Sequence, residues 1–421
     1  MDINALLKGV NCSCGKTHTC DIKYVYIENN ATERLREICI DYENILIVAD
    51  ANTYAAAGEK TVSALSDKRV KQVIFSGEKI LVPNEEAIHA VCTNLNGIDL
   101  IIGIGSGVIQ DLCKYVSHFN NLPYMVVATA PSMDGYASNG AAMITDGMKI
   151  TYAAGLPLAI IADTEVLANA PLEMLKAGFG DIIGKFSALN DWKLSHCVND
   201  EYFCQYIYDL TYQQIDRTLA LADGILKRNQ ESVKTLMEAL VIIGILMSFA
   251  GSSRPASGSE HHLSHFFEIT GIVTNTEYFP HGIDVAYSTV ITAEIREKIL
   301  KNKFPTKIYR PSDELYRQKM NEIYLDVSGG CIALQEKVGN YKNDRSKVYL
   351  EKENEIRQIL TEMPTAEKIK EMLSLVKLDI NEFYALYGKK KIENAILYAK
   401  DLKDRYTVLW VNYDFGDDEN V

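Results

Sequence analysis

An α/β N-terminal domain built on a parallel sheet, followed by an all-α C-terminal domain, is the fold class that three observations predict. The first 165 residues alternate short β-rich runs with helical stretches, the pattern of successive βα units. From about Asp163 to about Leu409 the pattern changes to long helical periodicities with few strand signals. The length, 421 residues at 47% apolar and 24% charged, suffices for a large core and more than one domain. We therefore expect an α/β domain over 1–165 and a helical domain over 166–421, with no Gly/Ser-rich linker between them.

The expected strands are Ile45–Ala49, Val73–Phe75, Leu100–Ile102, Met125–Ala128 and Ala159–Ala162. Between the first two, Thr53–Ser66 is rich in alanine and free of proline, which reads as a crossover helix despite Gly58. Strands joined through helices pair in parallel. The acidic end, Asp414–Val421, is expected to fray.

The net charge of −13, from 56 acidic and 43 basic residues, argues against nucleic acid or an anionic membrane as partner, because both are held by basic patches. A small molecule is the expected partner. The chain opens on no basic-then-apolar leader, and its longest apolar stretch, Ala239–Gly251, is shorter than the roughly 20 residues of a membrane span. It reads as a buried helix. Nine scattered cysteines suit reduced thiols in a cytoplasm better than a disulfide framework. Cys12, Cys14, His18 and Cys20 form a compact cluster that either binds zinc or sits in an N-terminal hairpin; the C-x-C opening departs from the usual C-x2-C knuckle.

Gly103-Ile104-Gly105-Ser106-Gly107 follows the strand Leu100–Ile102 and precedes a helical stretch, Val108–Phe119. Glycines at such a turn let backbone approach a pyrophosphate, and the helix N-terminus supplies amide donors, so this is a candidate dinucleotide site. The spacing is not the Rossmann G-x-G-x-x-G, and a tight turn without a ligand is the alternative. Asp50 closes the strand Ile45–Ala49. A carboxylate there either receives ribose hydroxyls, disfavouring a 2′-phosphate, or caps the following helix.

Four of the eight histidines lie between positions 261 and 281. On a helix, His261 and His265 share a face and His262 points elsewhere. His281, in Pro280-His281-Gly282, lies sixteen residues past His265. Neutral imidazoles are good ligands for divalent ions, and catalytic sites commonly keep three protein ligands and one open position. Asp181, within Gly178-Phe179-Gly180-Asp181-Ile182-Ile183-Gly184, is the candidate third ligand, since a carboxylate among apolar residues needs a partner. A helix N-cap for Asp181 and ordinary core or surface roles for the histidines are the alternatives.

In family order over about residues 40 to 290, these segments resemble the sn-glycerol-1-phosphate dehydrogenases, within the superfamily of iron-containing alcohol dehydrogenases, glycerol dehydrogenases and dehydroquinate synthases. The match runs from Asp50 through Gly103–Asp111 and Thr129-Ala130-Pro131-Ser132-Met133-Asp134-Gly135-Tyr136-Ala137-Ser138, then Gly180-Asp181, Arg254-Pro255-Ala256-Ser257-Gly258-Ser259-Glu260-His261, His265 and His281-Gly282. The resemblance implies a dehydroquinate synthase-like fold whose first domain binds NAD(H) through Asp50, Gly107, Val108, Ile109, Gln110, Asp111, Thr129, Ala130, Pro131, Ser132 and Ser138. It implies Asp134 at the substrate, Asp181, His261 and His281 on one divalent ion, and His265 near the substrate as a proton relay. Zinc, nickel and iron all suit that ligand set. The implied activity is reduction of dihydroxyacetone phosphate to sn-glycerol 1-phosphate by a homodimer. Lys185 and Arg254 are candidates for the substrate phosphate. Glycerol dehydrogenase, a dehydroquinate-synthase-like lyase and a non-catalytic nucleotide-binding protein are the competing readings.

Overall fold

The structure, a computed structural model, describes residues 2–78, 81–145 and 148–416. Two compact units emerge, and they interleave along the chain: Met1–Ile182 with Asp216–Ser253, and Ile183–Ile215 with Arg254–Val421. A single cut near residue 165 does not describe this division. The last segment of the first unit contains the whole helix Gln230–Ala250, with Ala239–Ala250 at its apolar end. It is the one helix among the described residues long and apolar enough to cross a membrane, and most of it is buried inside the protein.

The first unit carries every described strand: β1 (Val10–Asn11), β2 (Thr17–His18), β3 (Tyr24–Glu28), β4 (Asn44–Asp50), β5 (Arg69–Phe75), β6 (Leu100–Gly105), β7 (Tyr124–Ala128), β8 (Gly140–Thr145), β9 (Met148–Ala153) and β10 (Ala159–Asp163). Six form one parallel sheet in the order β3-β10-β7-β6-β4-β5. The central strands are buried on both faces, which explains their unbroken apolar runs. Ile45, Ile47 and Ala49 pack on one side with Ile102, Ile104, Met125 and Val127. Leu46 and Val48 pack on the other, with Ile101 and the helix residues Ile109, Leu112 and Val116.

All five expected strands are present, with bounds extended by up to four residues. Two features were not anticipated. β3 is an edge strand whose partner is β10, the last strand of the sheet in sequence, and β8 and β9 form a separate antiparallel hairpin. The crossover helix spans Ala51–Ala64, two residues earlier than expected at each end, because Asp50 starts it with a capping box. At the N-terminus, β1 and β2 form a short antiparallel hairpin, and none of the nine cysteines is in a disulfide.

The second unit is helical among its described residues. A buried ion pair orders it: Arg296 Nη2 meets Asp191 Oδ1 at 2.7 Å. Asp191 also receives the Val408 amide at 2.9 Å and, on Oδ2, the Ser259 amide at 2.6 Å. A buried charge pair is tolerated when such hydrogen bonds complete it. The expected fraying at Asp414 is not observed. Asp414 is buried, 2.7 Å from Arg310 Nη2, and accepts the Tyr349 hydroxyl at 2.5 Å; residues 417–421 lie outside the described residues.

Within the first unit, the helix Leu172–Ile183 approaches the chain at Pro131 so closely that a Cβ on Gly178 would lie 1.9 Å from the Pro131 carbonyl oxygen. Backbone cannot yield as a flexible side chain does. Gly178→Ala should destabilise the protein by about 1–3 kcal/mol or more, read as a lowered Tm in thermal unfolding; an unchanged Tm contradicts this packing.

Candidate active site

The glycine turn is built at the end of β6. Gly105 closes the strand, Ser106 occupies the N-cap position without a side-chain cap bond, and the helix Gly107–Phe119 begins at once. A Cβ on Gly103 would meet Cys113 Sγ at 2.9 Å, and one on Gly105 would meet Ile109 Cβ at 2.7 Å. These two glycines therefore serve strand-to-helix packing, whereas Gly107 has room. The first amides of the helix carry the partial positive charge that attracts phosphate.

The residues expected around a dinucleotide fall into two groups. Gly107, Val108 and Asp111 are half-buried at the head of this helix, whereas the side chains of Ile109 and Gln110 turn inward. Gln110 Nε2 donates to the carbonyls of Gly135 and Tyr136, each at 2.9 Å. Any ligand contact from Ile109 or Gln110 is thus a backbone contact. Thr129, Ala130, Pro131 and Ser132 follow β7, and the Thr129 amide donates to Gly105 O at 3.2 Å, tying this segment to the glycine turn. Ser138 Oγ donates to Gly135 O at 3.1 Å. Asp50 is the N-cap of the first crossover helix, and its Oδ1 accepts the Asn52 and Thr53 amides at 2.8 and 2.9 Å. The cap accounts for Oδ1, which leaves Oδ2 as the oxygen a ribose would address.

Asp134 and Asp181 belong together in the first unit. Asp181 is fully buried in the helix Leu172–Ile183, so it is not a helix cap, and its Oδ2 accepts the Asp134 amide at 2.9 Å. The segment after Asp134 is pressed against the helix Gln230–Ala250 at Gly244, where a Cβ would lie 2.7 Å from Ala137 Cβ and 2.9 Å from Asp134 O.

Lys114 was missed by sequence reasoning. It is fully buried and donates to Gly140 O at 2.7 Å and Gly135 O at 3.2 Å, with Ser138 Oγ at 3.4 Å and Asp111 Oδ1 at 3.5 Å. Burial pushes its ammonium pKa down, while Asp111 and Asp134 pull it back up. Its signal was its position on the apolar face of the helix, between Cys113 and Val116.

In the second unit the helix Ser259–Thr274 presents His261 and His265 on one face, with ring centroids 6.2 Å apart. The helix His281–Lys301 starts at His281, directly after Pro280. Its ring centroid is 5.1 Å from that of His261 and 5.6 Å from that of His265. Three imidazoles thus form one group, as their spacing suggested. Buried Glu260 holds His261 Nδ1 at 2.7 Å from its Oε1, which also accepts the Gly258 amide at 2.8 Å. A carboxylate on one ring nitrogen turns the other, Nε2, outward as a ligand. Glu268, also unforeseen, joins His265 and His281 with ligand atoms all within 4.8 Å of one another; its signal is the i, i+3 spacing from His265.

His262 points away from this group, as expected, and is fully buried. Burial, then the charges of Lys403, Arg405 and Arg254, push its pKa well down, so it is neutral. Arg254 is not placed as a phosphate ligand. Its Nε and Nη2 engage both Glu201 oxygens at 2.6 and 2.5 Å, and Nη1 donates to Tyr406 O at 2.9 Å. Lys185 is fully buried and donates to Ala256 O at 3.0 Å. The cations that sequence reasoning passed over are Lys403 and Arg405, which converge on Ser257: Lys403 Nζ reaches its Oγ at 3.3 Å and Arg405 Nη1 its carbonyl at 3.0 Å.

A family model described as iron-containing alcohol dehydrogenase matches residues 26–171. A glycerol-1-phosphate dehydrogenase (NAD(P)+) of Halalkalibacterium halodurans is 35% identical over 303 residues, 70% of this chain and 76% of that one. Its counterpart in Geobacillus thermodenitrificans is 30% identical over 375 residues, 88% and 86% of the two chains. Among solved structures, a probable glycerol dehydrogenase from Sinorhizobium meliloti 1021 matches with a TM-score of 0.60 at 15% identity, covering 93% of this chain and 95% of that one. That likeness shows the fold.

Replacing Lys114 by methionine removes the buried donor from the carbonyls of Gly135 and Gly140. Lys114→Met should cost about 1–3 kcal/mol and speed amide hydrogen exchange across residues 134–140; unchanged exchange there would remove Lys114 from the support of this segment.

Proposed function

The chain belongs to the glycerol-1-phosphate dehydrogenase family, and from that premise we propose that it reversibly reduces dihydroxyacetone phosphate to sn-glycerol 1-phosphate, with NAD(H) and one divalent cation. The observation that carries this reading is the group formed by His261, His265 and His281, with His261 oriented by Glu260. Two imidazoles and a carboxylate suit a catalytic zinc, nickel or iron. In this reading, as the resemblance implies, His261 and His281 hold the cation with Asp181.

When bound, the cation supplies Lewis-acid polarisation of the carbonyl, and NADH supplies the hydride. Backbone amides from Gly107 onward hold the dinucleotide phosphates, and Thr129–Ser132 and Ser138 line it. Asp50, through Oδ2, receives the ribose hydroxyls and favours NAD over NADP. Asp134, on a segment fixed from several sides, orients the triose. His265 holds the proton that the new hydroxyl oxygen takes up. The homodimer and the cytoplasmic location rest on the resemblance and on unbridged cysteines.

The substrate phosphate in this reading falls to Lys403 and Arg405, since Glu201 engages Arg254. Both converge on Ser257, and burial followed by the charge of Arg254 pulls the Arg405 pKa down to about 10. A bound phosphate would relieve this crowding of like charges.

His261→Ala and Asp181→Asn should each abolish turnover and strip the metal, whereas His265→Ala keeps the metal and loses rate. Metal content and NADH oxidation of the purified variants decide this. Metal lost from Glu268→Gln but retained by Asp181→Asn would instead place the ion between His265, Glu268 and His281.

Dihydroxyacetone phosphate should far outperform dihydroxyacetone, with net NADH consumption and sn-glycerol 1-phosphate as the product. Lys403→Ala should raise KM for the phosphorylated ketone on the order of 10- to 100-fold and leave the unphosphorylated one unchanged. Equal rates with both ketones would favour a glycerol dehydrogenase, and NADH recycling without net consumption a lyase.

A further inference from the structure

We propose that Cys12, Cys14 and His18 form a second, structural metal site, built for zinc. Their ligand atoms lie within 4.8 Å of one another. Cys14 Sγ is 3.5 Å from His18 Nε2. Zinc ligands at about 2.3 Å for sulfur and about 2.0 Å for nitrogen, seen at a tetrahedral angle, stand about 3.5 Å apart.

The hairpin shapes this cluster. Gly15 adopts φ +86°, a conformation that suits glycine, and its amide donates to Cys12 O at 3.1 Å, folding the chain sharply between β1 and β2. That turn brings the thiols together despite the C-x-C spacing and sets His18 across from them. The Cys14 amide points at Cys12 Sγ at 3.5 Å, the kind of donor that stabilises a thiolate ligand.

His18 is itself held in place by the end of the helix Gln230–Ala250. Its Nδ1 lies 2.9 Å from the Phe249 carbonyl oxygen. A carbonyl only accepts, so Nδ1 carries the proton and Nε2, the nitrogen facing Cys14, holds its lone pair. The ring is buried and stacked on Phe249, with centroids 5.3 Å apart at 14°. This fixes tautomer and orientation, as outer-shell groups do for ligating histidines. Two thiolates and one imidazole suit zinc, and a further donor of the chain or water completes four-coordination. Loaded, the site would tie the N-terminal hairpin to the end of the helix Gln230–Ala250.

The catalytic set proposed above contains no sulfur, so the two sites are separable. Zinc-loaded wild-type protein should show zinc–sulfur scattering at about 2.3 Å in X-ray absorption at the zinc edge. Protein carrying His261→Ala and His281→Ala should retain about one equivalent of zinc, which Cys12→Ser with Cys14→Ser then removes. Cobalt in the His261→Ala/His281→Ala protein should give thiolate-to-metal charge-transfer absorption that Cys14→Ser abolishes. Absence of zinc–sulfur scattering from wild-type protein, or full zinc retention after both cysteines are replaced, would overturn the proposal.

Discussion

A carboxylate buried in a helix of apolar and glycine residues has to be answered by hydrogen-bond donors or cations, because its desolvation is otherwise prohibitive. At Asp181 one answer is the backbone amide of Asp134, and the arrangement of the first unit around residues 129–140 follows from that bond. Gly178 lets the helix bearing Asp181 come against the Pro131 carbonyl, and Gly244 lets a second helix come against Asp134 and Ala137. Gln110 and Lys114 hold the carbonyls of Gly135, Tyr136 and Gly140 from the helix that begins at the glycine turn. A segment whose regular structure is one short 3-10 turn, Gly135–Ala137, is thereby fixed by contacts from three helices, the preorganisation that the role proposed for Asp134 requires.

The second unit solves the same problem with charge. Asp191, neutralised by Arg296, takes the amide of Ser259 and so positions the first turn of the helix carrying His261 and His265. Gly258 is required there, since a Cβ would lie 2.7 Å from Asp191 Oδ2 and 2.8 Å from Ala188 Cα. Glu260, buried beside it, orients His261. The histidines proposed to serve the cation thus project from helices whose first turns are pinned, which limits their rotamer freedom.

Features carried by local chemistry were legible in the sequence. The glycine turn after Leu100–Ile102, the pairing of His261 with His265 on one helical face and the opposite orientation of His262 all follow from period and residue type. The capping role of Asp50 was one of two open readings, and the structure supplies it without removing the other. Features set by distant residues were not legible. Arg254 looked like a free cation until folding brought Glu201 to it, 53 positions away in the chain. Lys114 stands on the apolar face of its helix, but the carbonyls it holds there lie 21 and 26 residues further on, and β3 is strand only because β10, more than 130 residues later, lies beside it. The Lys403-Asp404-Arg405 stretch carries no motif, and its relevance comes from its convergence on Ser257.

The interleaving of the two units bears on how the molecule is made. The chain leaves the first unit after Ile182, returns at Asp216 and leaves again after Ser253. During vectorial synthesis the six strands of the main sheet have all emerged by Asp163, yet the helix Gln230–Ala250, which packs on the 134–137 segment, has not. The nascent first unit therefore waits with an apolar surface uncovered until the 87 residues from Thr164 to Ala250 are added. Early intermediates of this kind are the ones that chaperones shield. A fragment ending near residue 182 would be held in that unfinished state.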